Sequence, residues 1–399
     1  MKTKSLFFVA ATALMVAGCS QNEVMETNPD ANRTIGFGVY TGTQTKGLVT
    51  DNSTNDGTTA NGLKVASKGF GILAYQTTGN YSTGGSKGTF MDNVHTTWNA
   101  TGGSGSGGWE YSPLKFWPGN STDKLSFFAY APYSTGGANG ITLTNATNST
   151  DPSLTFESQT NQKDMVDLVV STAKKDQQQT TASGKVTFDF KHVLTRVTMK
   201  AKTDKSISSN AETKVYITGI SLKHTTKLAG EATINMNDAT WTLPTLPGEA
   251  AKYLSSPYPL AATSSNGVLK LENPAWKGYT TPAGKGNTPP AVSINETAAS
   301  LFTADQYLFF IPIDGATGTT SADEVKASIT YDIATIPSLG ASTAAVSSFT
   351  KEVDLGTGIL AQGKAYAFTF TIGLNSIEVD VTDSFNWDTT GGDKDVTVN

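Results

Sequence analysis

The chain has 399 residues, a formal net charge of −5, one cysteine and a charged fraction of only 16%. With no basic block it offers nucleic acid no electrostatic footprint, and one thiol excludes disulfides and cysteine-ligated metals within a single chain. Abundant glycine and threonine, with Val, Ile, Phe and Tyr at the apolar positions, point to an all-β protein with long polar loops, large enough for two domains and stabilised by its core.

Residues 1–18 combine a basic start (Lys2, Lys4), the apolar run SLFFVAATALMVAG and small residues ahead of Cys19. That order describes a secretory signal peptide; the run is too short for the roughly 20 apolar residues of a membrane span. A cysteine directly after Ala17-Gly18 resembles a bacterial lipobox. This implies a diacylglycerol on the Cys19 thiol and a fatty acyl group such as palmitate on the new N-terminus, so thiolate catalysis is excluded as well. A plain signal peptide with an incidental cysteine is the alternative.

Residues 19–33 read as a polar tether. TIGFGVY (34–40) alternates, placing Ile35, Phe37 and Val39 on one face of a short strand. Residues 41–62 have little to bury and read as an exposed loop. Strands are expected at 69–77, 89–98, 124–133, 141–147 and 153–158, while 165–173 reads as a strand or one short helix. The insert ATGGSGSGG (100–108) reads as a solvated hairpin excursion. Polar, aperiodic KKDQQQTTASG (174–184) suggests a boundary between an N-terminal β-sandwich at 34–183 and a C-terminal one at 184–399.

Within 184–202 the apolar phase changes. Val186, Phe188, Phe190, His192 and Leu194 share one face, whereas Val193, Val197 and Met199 point the other way, as a bulge or crossover near 192–195 would produce. Further strands are expected at 214–225, 231–243, 306–313, 325–334, 349–355, 365–374 and 376–387, with a long Pro- and Gly-rich loop holding small pieces of structure over 244–300. In 376–387, Ile377, Val379, Val381, Phe385 and Trp387 are in phase. About seven strands per half suggest two tandem sandwiches.

Catalytic signatures are missing. His95, His192 and His224 are far apart and none has a companion at metal-ligand spacing. His192 lies on an apolar face and reads as a hydrogen-bonded core residue. No nucleophile elbow, Walker loop or zinc-protease motif occurs, so neither enzymatic activity nor a cofactor is expected. Of the tryptophans, Trp98 and Trp117 read as packing in the first sandwich and Trp241 and Trp276 beside the second, with a sugar-stacking platform as the other use of such rings.

Four segments in order resemble the fimbrillins, the lipoprotein pilins of type V pili, including the Mfa-like families. They are the lipobox followed by IGFGVY, LKFWPGNSTDKLSFFAYAPY (114–133), DLVVSTA with VTFDFKHVLTRV, and GKAYAFTFTIGLNSIEVDVTDSFNW. The resemblance implies two transthyretin-like sandwiches and export to the outer membrane as a lipoprotein. It also implies removal of the N-terminal strand by a trypsin-like protease, and polymerisation by donor-strand exchange into an extracellular fimbrium that supports cell adhesion.

The physics of that exchange can be stated on this sequence. A strand lost from a sandwich leaves an unpaired edge and an apolar slot, both of which invite strand addition. The leaving strand would be 34–40, with Ile35, Phe37 and Val39 facing the slot. The donor would come from 376–399, with Ile377, Val379, Val381, Phe385, Trp387, Val396 and Val398 as slot-filling side chains. The sequence equally admits 376–387 as an internal core strand. A trypsin-like cut after Lys46 would free the strand, whereas a cut after Arg33 would shed only the tether, which favours Lys46; an arginine-only protease would not use it. Expected partners are other pilin subunits in a homopolymer or mixed fibre, the outer membrane through lipid on Cys19, and a host or bacterial surface receptor. The alternative is a monomeric outer-membrane surface lipoprotein that binds glycans.

Overall fold

A computed structural model describes residues 33–40, 62–65, 68–83, 86–101, 107–159, 164–182, 184–209, 211–224, 228, 230–244, 258–259, 279–280, 291–302, 307–313, 324–357, 359–374 and 376–386. Cys19, Lys46, Trp276, Trp387, Val396 and Val398 lie outside the described residues.

The first half contains β1 (Gly36–Tyr40), β2 (Phe70–Thr78), β3 (Gly88–Asn99), β4 (Gly108–Tyr111), β5 (Asp123–Ala131), β6 (Ile141–Thr144), β7 (Ser153–Glu157), β8 (Val169–Ser171), β9 (Lys174–Gln177) and β10 (Lys185–His192). The second contains β11 (Thr195–Thr203), β12 (Thr213–His224), β13 (Glu231–Asn235), β14 (Trp241–Thr242), β15 (Tyr258–Pro259), β16 (Val292–Ile294), β17 (Ala299–Ser300), β18 (Leu308–Phe310), β19 (Glu324–Thr335), β20 (Ala345–Thr357), β21 (Lys364–Ile372) and β22 (Ile377–Asn386).

The chain is all-β and forms two sandwiches in tandem. In the first, an eight-stranded sheet of order β1-β10-β8-β5-β2-β3-β4, with β9 beside β5, packs on a four-stranded sheet of order β14-β13-β7-β6. In the second, the sheet β17-β11-β21-β22, with β18 beside β11, packs on β15-β12-β19-β20, with β16 beside β12. Among the described residues no helix is long and apolar enough to cross a membrane.

Side-chain alternation along β2 and β5 explains how one sheet serves two cores. Phe70, Ile72, Ala74, Phe127 and Ala129 enter a smaller core on one face. Leu73, Tyr75, Phe128 and Tyr130 enter the main core on the other. Both strands are therefore almost continuously buried, which is why their sequences read as unbroken apolar runs. The main core continues through Leu154 and Phe156 of β7 into Val197 and Met199 of β11, Ile217 of β12 and Phe368 of β21, so the two sandwiches share packed interior.

The change of phase in 184–202 is a crossover between sheets. β10 pairs with β1 and β8 in the first sandwich, and β11, two residues further on, pairs with β21, β17 and β18 in the second. The pairing thus differs from a boundary placed before 184. Lys174–Gln177 lies inside the polar stretch expected as the boundary, yet it forms β9 on β5. Its Asp176 amide donates to Ser126 Oγ at 3.0 Å, and the Asp176 carboxylate accepts from the Tyr81 amide at 2.6 Å. β13, downstream of the expected boundary, pairs back onto β7 along Glu231–Asn235. The short strands β15, β16 and β17 are small pieces of structure of the kind expected within the long stretch 244–300, and 165–173 supplies strand β8 rather than a helix.

Three bonds secure the crossover. Trp241 Nε1 donates to the Val193 carbonyl at 2.8 Å, the Val193 amide donates to the Leu168 carbonyl at 3.2 Å, and the Gly363 amide donates to the Leu194 carbonyl at 3.1 Å. Trp241 is fully buried and stacks edge-on to Phe156, so it belongs to the four-stranded sheet rather than beside the second sandwich. Trp241→Phe keeps most of the apolar contact but strands a buried carbonyl. It is expected to lower the unfolding free energy by about 1–3 kcal/mol, measured by denaturant titration against a surface Trp→Phe control.

Candidate functional site: the edge strand β1 and its groove

β1 closes one end of the eight-stranded sheet. It runs parallel to β10, with Phe37 opposite Val186 and Val39 opposite Phe188. On its other side it has no complete ladder. The Ile35 amide donates to the Lys115 carbonyl at 2.9 Å, the Trp117 amide donates to the Arg33 carbonyl at 3.1 Å, and Thr34 bridges Phe116. Residues 115–117 follow β4, the far end of the same sheet. The sheet therefore curls until its two ends meet at β1, and β1 fills the seam.

Its inward residues are Ile35 and Phe37, both buried, and Val39, half-buried. Phe37 sits in an aromatic box. Its ring centroid lies 5.0 Å from Tyr111, 5.9 Å from Phe127 and 5.6 Å from Phe188, within the range of favourable aromatic pairs. The outward positions are Gly36, Gly38 and the exposed Tyr40. A Cβ at Gly38 would meet Lys185 Cε at 2.7 Å and Thr187 Oγ1 at 3.1 Å. The absent side chain lets the apolar stem of Lys185 lie across the strand.

Tyr111 latches the seam. Its hydroxyl donates to the Ile35 carbonyl at 2.8 Å and accepts from the Lys115 amide at 3.3 Å. Burial pushes the Tyr111 phenol above its ordinary pKa, partly offset by the Lys115 backbone bond, so the hydroxyl keeps its proton at neutral pH. Tyr111→Phe is expected to speed amide exchange at Phe37 and Val39 about tenfold, the equivalent of roughly 1.4 kcal/mol, read by hydrogen-exchange mass spectrometry of the peptide covering β1.

The residues considered for donation lie in a second edge strand. β22 pairs antiparallel with β21, with Ile377 opposite Ile372, Val379 opposite Phe370 and Val381 opposite Phe368. These three are half-buried against the main core, while Glu378 and Asp380 are exposed. Phe385 is in the strand opposite Ala365. In this state, then, Ile377, Val379 and Val381 are covered by their own chain, and β1 and β22 are edge strands of different sheets. Arg33 is exposed immediately before the strand, and its carbonyl accepts from the Trp117 amide. The sequence alternation located β1 but not the box around Phe37. Tyr111, Lys115 and Trp117 stand in WEYSPLKFW, whose aromatic–proline density is the one local sign of a latch.

Other side chains are committed to packing. His192 is buried, with Nδ1 3.0 Å from Asp167 Oδ1. His95 bonds the Lys68 carbonyl through Nε2 at 2.8 Å and stacks on Tyr133 at 3.9 Å. His224 lies in β12. Among the described residues no cluster of His, Cys, Asp or Glu is placed to hold a metal. Trp117 and Trp241 are buried. Trp98 pairs with Trp109 and has Lys64 Nζ 4.4 Å over its ring, and a Cβ at Gly107 would come within 2.3 Å of its ring. Trp98 is thus half-buried among Trp109, Lys64 and Gly107.

Residues 54–384 match a family model described as fimbrillin-like. The chain is 37% identical, over an alignment of 412 residues covering 100% of both proteins, to the fimbrium subunit Fim1C of Phocaeicola vulgatus. It is also similar to a solved fimbrial protein from Bacteroides vulgatus, with a TM-score of 0.64 at 30% identity over 89% of this chain and 100% of that one.

Proposed function

The chain belongs to the fimbrillin-like family, and on that premise we propose that it is a structural fimbrial subunit of the type V kind, exported as a lipoprotein and assembled by donor-strand exchange. Cys19 carries the lipid and holds the precursor at the outer membrane. A trypsin-like cut then frees β1, with Lys46 favoured over Arg33 because only a cut beyond the strand releases it. The slot between β10 and 115–117 takes a strand from a neighbouring subunit, and the product is an extracellular appendage that supports adhesion. Its role is mechanical and recognitive, without catalysis or cofactor.

The observation that carries this reading is the position of β1. It is short, held by one parallel ladder and a few seam bonds, yet it fills an aromatic box in a curled sheet. Removing it would expose the β10 edge together with an apolar slot, the two features that capture an extended peptide. β22 and the segment after it are the donor, supplied by Ile377, Val379, Val381, Phe385, Trp387, Val396 and Val398. Once inserted, such a strand leaves slowly because its release requires opening the sheet, so the fibre is held kinetically.

Trypsin treatment of the purified full chain tests the proposal. The expected product begins at Gly47 and forms ladders that resist SDS without heating. A trimmed protein that stays monomeric would overturn strand exchange, and an unacylated Cys19 on intact cells would overturn the lipoprotein route.

A further inference from the structure

β1 and β22 share one apolar pattern and differ in what they show to solvent. Along β1, Ile35, Phe37 and Val39 alternate with Gly36 and Gly38. Along β22, Ile377, Val379 and Val381 alternate with the exposed Glu378 and Asp380. On the outward face of the seam, β10 sets Lys185 opposite Gly36, Thr187 opposite Gly38 and Asp189 opposite Tyr40. Lys185 is exposed. Among the described residues, none of Lys185, Glu378 and Asp380 forms an ion pair.

β1 offers the Lys185 ammonium only glycine. A Cβ at position 38 would stand 2.7 Å from Lys185 Cε and 3.3 Å from its Nζ. The obstruction is the far end of a flexible side chain, which can swing aside. A carboxylate arriving at that position would then lie within ion-pair reach of the ammonium it displaced.

We propose that Lys185 is a specificity determinant of the vacated seam and selects the acidic outer edge of β22 from a second copy of this chain. The inference rests on the strand-exchange reading and adds a register to it. With Ile377, Val379 and Val381 in the places of Ile35, Phe37 and Val39, Glu378 falls opposite Lys185 and Asp380 opposite Thr187, beside the same ammonium. The uncharged Thr382 falls opposite Asp189. A slip of one residue would turn the apolar side chains outward. A slip of two that set Asp380 opposite Asp189 would oppose like charges. The outward face of the seam thus complements the neighbour's strand in charge better than it complements β1, and the attraction favours productive encounter.

A double-mutant cycle on the full chain tests the pairing. Ladder formation after trypsin is followed at low salt for the parent, Lys185→Gln, Glu378→Gln/Asp380→Asn and the combination of all three. None of these substitutions creates a tryptic site, and all lie at exposed positions, so equal denaturation midpoints check that the fold is intact. Lys185→Gln and Glu378→Gln/Asp380→Asn should each slow assembly about three- to fivefold. The combination should be no slower than either, because the interaction is already lost. Lys185→Glu, which sets a carboxylate against the donor's own, should slow assembly about tenfold. Added salt should slow the parent and leave the combination unchanged. Ladders at the parent's rate in every variant would overturn Lys185 as the determinant and leave strand exchange standing. Slowing that multiplies in the combination would overturn the pairing, since the residues would then act separately. A parent protein that forms no ladders would overturn strand exchange itself, and this inference with it.

Discussion

A disulfide joining Tyr40→Cys to Asp189→Cys, in a Cys19→Ser background, is expected to abolish ladder formation after trypsin, and dithiothreitol is expected to restore it. Tyr40 and Asp189 are register partners at the end of the parallel ladder, and Tyr40 is exposed. Adjacent strands lie ~4.8 Å apart, within the Cα separation a disulfide tolerates. The bond leaves the protease site and the donor untouched and blocks only the departure of β1. An all-or-none, redox-reversible effect therefore isolates strand exit from every other step. Equal ladders under oxidising and reducing conditions would show that polymerisation does not pass through the vacated seam.

Phe37→Ala carries the second large effect. The side chain is buried and ringed by Tyr111, Phe127 and Phe188. Truncating a core phenylalanine costs about 3–5 kcal/mol through lost transfer energy and the remaining cavity. Most of that loss falls on the state in which β1 is seated, because the box collapses only partly around alanine. The denaturation midpoint of the first sandwich should fall accordingly, and ladders after trypsin should appear faster than in the parent protein. Phe37→Tyr adds a hydroxyl with no partner in the box and should also loosen the strand. A full-stability Phe37→Ala variant would mean that β1 contributes little to the closed sheet.

Much of this architecture is written locally. The alternation of Ile35, Phe37 and Val39 marks a strand before any partner is known, and the unbroken apolar runs of β2 and β5 reflect burial on both faces. The reversal of phase after His192 marks the passage between sheets. What escaped was set by partners distant in sequence. Lys174–Gln177 has no apolar signature, yet the edge of β5 and the Ser126 hydroxyl make it a strand. The division of the chain was blurred because Glu231–Asn235 returns to pair with Ser153–Glu157. The aromatic box is assembled from Tyr111, Phe127 and Phe188, which no single window brings together. The edge position of β22 is likewise a property of the sheet, since its alternating pattern suits an internal strand or a departing one.

The interior common to both lobes has a mechanical consequence. Val197 and Met199 belong to the same packed body as Phe128 and Leu154, so one lobe cannot pivot on the other without breaking close contacts. A filament built from such units would bend only at the joints between them. Tension from fluid flow would pass through each subunit as through a rigid rod, and the weakest link under load would be the exchanged strand rather than the waist of the molecule.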